Sequence, residues 1–410
     1  MRKSIYYKKN RLPEKEEDSL AKVKVLILPL LKMPSGHHQV AEALMHKLKC
    51  MDSTIEMKKV DLISYTSGML EKIVTKMYLN WIQKAPRTYQ WVYKHFIYAD
   101  ADQTALMKLY ELSFIKQMEK LIAEENPDLV ICTHSFPSML LSRLKSKGKI
   151  DVPVINAYTD FFVNGLWGKK EIDIHFVPNQ TIKTTLICNG VPEQNIFVTG
   201  IPIHEAFKER TALRHTSRKK ILISGGSSGL GDLYRLLKAL KREQPDRADY
   251  YVLCGKNKKL YHKLNGWGMK HIIPVPYIQS RKEMSRLYDE ADAIITKPGG
   301  VTISEVIQKK LPIFIHSVLP GQEEINLAFL KQHGLVFELD FTKPVEEQVM
   351  EILEDGKQLA RFYRRLRQYG SEIELQGKEF DVLIRGLLGR KANQTPDKVL
   401  KDQYFVSTSY

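Results

Sequence analysis

The sequence predicts an α/β protein built from two doubly wound parallel units in series. Short apolar runs of strand length alternate with helical stretches along most of the chain. The alternation stops at a polar, basic stretch over 208–220 and then restarts. A chain of 410 residues has room for two large domains and far exceeds one small core.

The first unit begins with KVKVLILPLL, a run suited to a strand buried on both faces, followed by the loop KMPSGHH and a helical stretch QVAEALMHKL. Strands follow in PDLVICTHS (127–135), VPVINAYTDF (152–161), DIHFVPN (173–179) and NIFVTGIP (195–202), with helical stretches between several of them. The second unit reads as five strands with intervening helices: KILISGG (220–226), YYVLCG (250–255), KHIIPVPYI (270–278), DAIITKPGG (292–300) and LPIFIH (311–316). The expected division is an N-terminal extension over 1–20, a first domain over 21–207, a linker over 208–220, a second domain over 221–385 and a tail over 386–410. Two such units place a ligand cleft between them, at the carboxyl ends of the strands.

Composition narrows the class. No apolar run reaches the length of a membrane-spanning helix; Leu311 to Gln322 is uncharged over 12 residues but holds two prolines. The charged N-terminus lacks the apolar stretch of a secretory signal, and the four dispersed cysteines form neither a disulfide framework nor a zinc knuckle, so a reducing cytoplasm is expected. The net charge of +16 is shared by both halves and favours an anionic partner, whether nucleic acid, acidic membrane surface or phosphorylated ligand.

Three loops of the second unit carry chemistry. In ISGGSSGLGD, glycines including Gly226, followed by Ser227, lie between a strand and a helix, where backbone amides can cradle phosphate or where the glycines simply make a tight turn. The spacing also resembles short-chain dehydrogenases, but the Tyr-x-x-x-Lys match, Tyr234 and Lys238, falls in the adjoining helix, which argues against them. In TKPGGVTISE, a strand delivers Lys297, Gly299 and Gly300 to a helix start; Glu305 can take ribose hydroxyls, or can close a Thr302-x-x-Glu305 capping box. In LPGQEEIN, Gln322, Glu323 and Asn326 suit the hydroxyls of a sugar, an exposed acidic turn being the alternative.

The combination of the N-terminal Gly-His loop, YTDF with a following Trp, GIPI, the glycine-rich loop, VLCGKN, TKPGG-T--E and PGQEE-N resembles glycosyltransferase family 28. The similarity is greatest to its monogalactosyldiacylglycerol synthase and processive diacylglycerol glucosyltransferase group, and spans about residues 22–385. The resemblance implies a GT-B fold, with two Rossmann-like domains facing across a cleft. It implies an inverting hexosyltransferase that uses UDP-glucose or UDP-galactose as substrate, needs no cofactor or essential metal, and acts on a lipid hydroxyl of diacylglycerol or a glycolipid. By motif, the donor diphosphate meets the Gly226 loop and Gly299–Gly300, Glu305 the ribose, and Gln322 with Glu323 the sugar, while uracil stacks near Tyr277 and Ile278.

On the acceptor side, His37 holds the position of the family's Gly-His, and an imidazole there can take a hydroxyl proton. Asp160, in YTDF, can orient the acceptor or act as base, and is equally an ordinary turn residue. The sequence departs from the family at Asn164, where a His is expected, and at Pro34-Ser35-Gly36. Trp167 follows on the same side. Between residues 69 and 98, seven aromatics and five bases, among them Lys76, Trp81, Lys84, Arg87, Trp91 and Lys94, suit docking on the anionic cytoplasmic face of the membrane. A core role for those aromatics is the alternative, and no RNA-binding signature accompanies them. A UDP-sugar epimerase and a non-catalytic UDP-sugar sensor remain rival readings.

Overall fold

The computed structural model describes residues 23–30, 35–62, 65, 105–207, 218–225 and 233–389, with the side chains of the helix at 105–125 described from Phe114 onward. The first sheet contains β1 (Lys24–Leu28), β2 (Glu56–Lys59), β3 (Leu129–Cys132), β4 (Val154–Ala157), β5 (Ile174–Val177) and β6 (Ile196–Val198). They lie in the order β2-β1-β3-β4-β5-β6, and every pair is parallel. The helices of this unit are α1 (Gly36–Met51), α2 (Ala105–Glu125), α3 (Ser135–Ser146) and α4 (Gln180–Cys188).

The second sheet holds β7 (Lys219–Ser224), β8 (Ala248–Leu253), β9 (Ile272–Val275), β10 (Ala293–Thr296), β11 (Ile313–Ile315) and β12 (Phe337–Glu338), ordered β12-β11-β10-β7-β8-β9. It too is parallel throughout. Its helices are α5 (Leu233–Glu243), α6 (Lys258–Asn265), α7 (Arg281–Glu290), α8 (Gly300–Gln308), α9 (Gln322–Gln332), α10 (Val345–Glu354), α11 (Gly356–Ser371) and α12 (Gly377–Leu388). The expected fold class is therefore observed.

The strand sequences explain this arrangement. Along β1, Val25 and Ile27 enter one apolar cluster with α1 residues Val40, Ala41 and Leu44, while Leu26 and Leu28 enter another with Met118, Leu140 and Leu141 of α2 and α3. Because both faces are covered, the strand reads as a continuous apolar run rather than an alternating one. The edge strand β2, EMKK, is only half-covered and has no such run, so its sequence does not announce it. β12 has only two residues.

Strand order fixes where ligands can gather. The chain leaves β1 toward β2 on one side and returns to β3 on the other; in the second sheet it leaves β7 toward β8 and returns to β10. Each sheet thus reverses once, between β1 and β3 and between β7 and β10. The loops after those strands open a crevice at their carboxyl ends.

The two units share one apolar cluster that runs from Val25 and Val40 through Val301 and Ile303 to Phe362 and Phe380. The C-terminal helices close it. The Tyr369 hydroxyl of α11 donates to the Pro178 carbonyl at 2.8 Å, and Phe380 of α12 packs on Phe176 of β5 with ring centroids 5.7 Å apart. α11 and α12 return to the first sheet, because Phe380, Leu383, Ile384 and Leu387 bury their side chains in this shared cluster.

Candidate active site

The β1–β3 crevice gathers the acceptor-side residues. His37 is the second residue of α1, delivered just beyond β1. Its Nδ1 lies 2.7 Å from the Thr133 carbonyl oxygen at the end of β3. A carbonyl can only accept, so Nδ1 carries the proton, and in the neutral ring Nε2 presents the lone pair. Burial holds the imidazole below its ordinary 6.5, against the opposing pull of the Asp160 charge and the Thr133 carbonyl. At neutral pH, His37 is therefore an unprotonated imidazole with its basic nitrogen fixed by geometry.

Asp160 follows β4, with Thr159 linking it to His37. The Thr159 hydroxyl is 3.1 Å from His37 Nδ1 and donates to Asp160 Oδ2 at 3.3 Å. From the other unit, Asn326 Nδ2 of α9 donates to Asp160 Oδ1 at 2.9 Å, while its Oδ1 accepts the Phe161 amide, also at 2.9 Å. Asn326 was expected to contact the donor sugar. Its amide is instead spent on the first unit, where both ends are buried and satisfied.

A small cavity in this crevice is lined by His37, His134, Thr159, Asp160, Asn164, Trp167 and Gln322. Gln322, the first residue of α9, thus brings a donor-side side chain to the acceptor-side pair. Trp167 is buried against Tyr158, with ring centroids 4.5 Å apart, so it forms cavity wall and core rather than a bilayer contact. His134 was missed from the sequence. Its ring meets His37 edge-on at 4.6 Å, and its Nδ1 accepts the Phe136 amide as the cap of α3. Burial keeps it well below 6.5 and hence neutral. The available signal was its place directly after β3, the strand beside β1.

On the donor side, Gly299 caps α8, and a Cβ placed there would meet no atom within 4 Å. The space beside Gly299 at the start of α8 is open, which is compatible with an anion reaching the helix N-terminus. Gly300 serves a different purpose: a Cβ there would lie 2.1 Å from the Thr159 carbonyl oxygen, so only glycine lets the two units approach this closely. Thr302 lies inside α8 and is not its cap, which removes the capping-box alternative.

Glu305 is buried. It accepts from the Tyr288 hydroxyl at 3.3 Å and lies 3.9 Å from Arg281, which also binds Glu42 of α1 at 3.2 Å. Burial pushes its carboxyl up to about 7, with Arg281 and the Tyr288 hydroxyl pulling the other way. Glu323 accepts the Leu319 amide at 2.6 Å and is also raised by burial, opposed by Lys297, whose side chain is itself buried. Tyr277 is 49% exposed and Ile278 half-buried; both lie in the loop between β9 and α7. Gly226, Ser227, Lys76, Trp81, Lys84, Arg87, Trp91 and Lys94 lie outside the described residues.

A larger cavity of about 990 Å³ lies between the units, lined by Leu44, Ile201, Ile307, Tyr363 and Phe380 among others. It includes none of the expected site residues, and the acid-base groups belong to the smaller one.

The chain is similar to known proteins over most of its length. Residues 37–203 match the family described as monogalactosyldiacylglycerol (MGDG) synthase, and residues 220–360 match the glycosyltransferase family 28 C-terminal domain. The chain is 40% identical over 366 residues to the uncharacterized glycosyltransferase YkoN of Bacillus subtilis, covering 88% of this chain and 96% of that one. It is 27% identical over 367 residues to a processive diacylglycerol beta-glucosyltransferase of Bacillus cereus, covering 84% and 89%. Among solved structures, Acinetobacter baumannii MurG gives a TM-score of 0.54 at 16% identity, covering 84% and 95%. UDP-GlcNAc 2-epimerase from Neisseria meningitidis, bound to UDP-GlcNAc, gives 0.53 at 13%, covering 90% and 100%. These structural likenesses speak to the fold alone.

Proposed function

The chain belongs to glycosyltransferase family 28, in its MGDG synthase and processive diacylglycerol glucosyltransferase group, and from that premise we propose that it moves a hexose from UDP-glucose or UDP-galactose to a lipid hydroxyl at the cytoplasmic membrane face. The acceptor is diacylglycerol or a glycolipid built on it, and the anomeric carbon inverts. The observation that carries this reading is the His37 tautomer: Nδ1–H is committed to the Thr133 carbonyl, so Nε2 is left to take a proton.

The chemistry follows from that nitrogen. Nε2 accepts the hydroxyl proton, and the acceptor oxygen bonds to the anomeric carbon opposite the diphosphate. The bond to UDP breaks, and its electron pair leaves with the diphosphate, whose charge is met by the α8 amides after Gly299 and by Lys297. Glu305 takes the ribose, Gln322 and Glu323 the sugar, and Tyr277 with Ile278 the uracil. No metal has a part in the transfer. Asp160 and Thr159 hold the imidazole, and the Asp160 charge stabilises the imidazolium that forms.

No helix among the described residues is long and apolar enough to cross a membrane. Access to a lipid acceptor therefore rests, in this reading, on peripheral docking by the basic, aromatic stretch over 69–98. Replacing Lys76, Lys84, Arg87 and Lys94 with Gln would remove four positive charges, each worth on the order of 1 kcal/mol near anionic lipid. Co-sedimentation with anionic vesicles should then fall sharply; equal binding by mutant and wild type would discard that docking surface.

The reading is tested by mass spectrometry of lipids after incubation with membranes and each UDP-sugar in turn, where a new hexosyl lipid is expected. Conversion of UDP-sugar by the protein alone would favour an epimerase. UDP binding with no turnover on any lipid would favour a sensor.

A further inference from the structure

The face of α1 remote from His37 carries a second group of chemically reactive side chains. His46 and Cys50 are spaced i, i+4, so they share one side of the helix. Cys50 Sγ lies 3.6 Å from His46 Nδ1. Glu205 comes from a single turn over Glu205–Phe207, in the segment leaving the first sheet, and its Oε1 lies 3.6 Å from His46 Nε2. The three donor atoms all fall within 4.8 Å of one another. The His204 ring meets His46 at a tilt of 55° with ring centroids 4.2 Å apart, and its own Nδ1 accepts the Ala206 amide at 3.1 Å, which fixes the wall of the group.

We infer that His46, Cys50 and Glu205 form a binding site for a borderline-soft divalent cation of the zinc class. A thiolate, an imidazole and a carboxylate are zinc's own donor set, with metal–sulfur and metal–nitrogen distances of about 2.3 and 2.0–2.1 Å. Those lengths at a tetrahedral angle put sulfur and nitrogen about 3.6 Å apart, which is the spacing of Cys50 Sγ and His46 Nδ1. Calcium and magnesium prefer all-oxygen sites and are disfavoured by the sulfur. Glu205 faces the other ring nitrogen, but its side chain is 49% exposed and can turn to reach the same ion. Binding forms a metal–sulfur bond and releases the Cys50 thiol proton to solvent, leaving one coordination position for water.

The site stands apart from sugar transfer and has a mechanical consequence. It ties the segment that leaves the first sheet to the helix whose other end carries His37. Two of the three ligands are local in sequence, the i, i+4 pair, and the fold supplies the third from more than 150 positions later.

Cobalt(II) is the probe, because thiolate coordination gives it a sulfur-to-metal charge-transfer band. Full-length protein should show that band at one equivalent and lose it when zinc is added. Cys50→Ser should abolish the band, Cys188→Ser, at the other exposed cysteine, should retain it, and Glu205→Gln should weaken cobalt affinity by about tenfold or more, the scale seen even for groups beyond the ligand shell. Zinc should raise the Tm of the wild type and not of Cys50→Ser or His46→Ala, since the ion binds only the native arrangement. A missing band, a band that follows Cys188, or an unchanged affinity in Glu205→Gln would overturn the assignment.

Discussion

The two reversal points of the sheets are built alike and filled differently. Between β1 and β3 stand His37, Thr133 and His134, with Asp160 beside them after β4, all held by named hydrogen bonds. Beyond β10 stand Gly299, Gly300 and the start of α8, with Glu305 buried a turn further on. In the proposed mechanism one crevice moves a proton and the other holds an anion. The scaffold supplies the location in both cases, and the loop residues alone decide the chemistry.

The two crevices diverge most at His37. His37→Ala should slow turnover by roughly a hundredfold to ten-thousandfold while leaving UDP-sugar affinity nearly intact, and Asp160→Asn should cost less than that. Because burial holds His37 below 6.5, the acid limb of the turnover profile should also lie below pH 6.5. Steady-state kinetics across pH, with donor binding measured separately, checks both statements; an equal loss of affinity and turnover would place His37 on the binding side.

Gly300→Ala probes the contact between the two crevices. The added Cβ would meet the Thr159 carbonyl at 2.1 Å, and relief requires the units to shift by an amount on the order of 1 Å, enough to cost about a hundredfold in kcat/KM. Glu305→Ala sharpens the donor side. Losing hydrogen bonds to a charged group costs about 1.5–3 kcal/mol, so UDP should bind tenfold or more weakly in calorimetry. Unchanged affinity in a folded variant would remove Glu305 from the site.

A further effect concerns stability rather than turnover. Glu305 is raised from 4.5 to about 7 in the folded protein. Between those values the native state binds more protons than the unfolded one, so stability falls as pH rises through the window. The loss is on the order of 3 kcal/mol. Glu305→Gln should lack this slope, and denaturation midpoints for both proteins between pH 4.5 and 8 would show whether the difference exists.

Much of this was legible in the sequence because the signals are contiguous. The apolar runs of β1 and β10 announce strands covered on both faces, and TKPGG marks a strand handing over to a helix. The rest depends on groups far apart in the chain. Asn326 reads as a sugar ligand next to Gln322 and Glu323; only the fold shows its amide facing Asp160 across 166 positions. Trp167 reads as an acceptor-side residue, and only the fold shows it packed against Tyr158. His134 ends an apolar run and gives no sign of caging another imidazole. The strand EMKK lacks a buried face from which to be recognised.

Asn326 has a further consequence. Its single carboxamide reaches from α9 to Asp160 through Nδ2 and to the Phe161 amide through Oδ1, while Phe329 of the same helix stacks on Phe161 with ring centroids 5.2 Å apart. Any rotation that parted the halves would cut both hydrogen bonds at once and release the carboxylate that steadies the base. On the proposed mechanism, an open molecule would keep His37 on the Thr133 carbonyl but lose the clamp on Asp160, so the charge that steadies the imidazolium would be in place only once both halves have met.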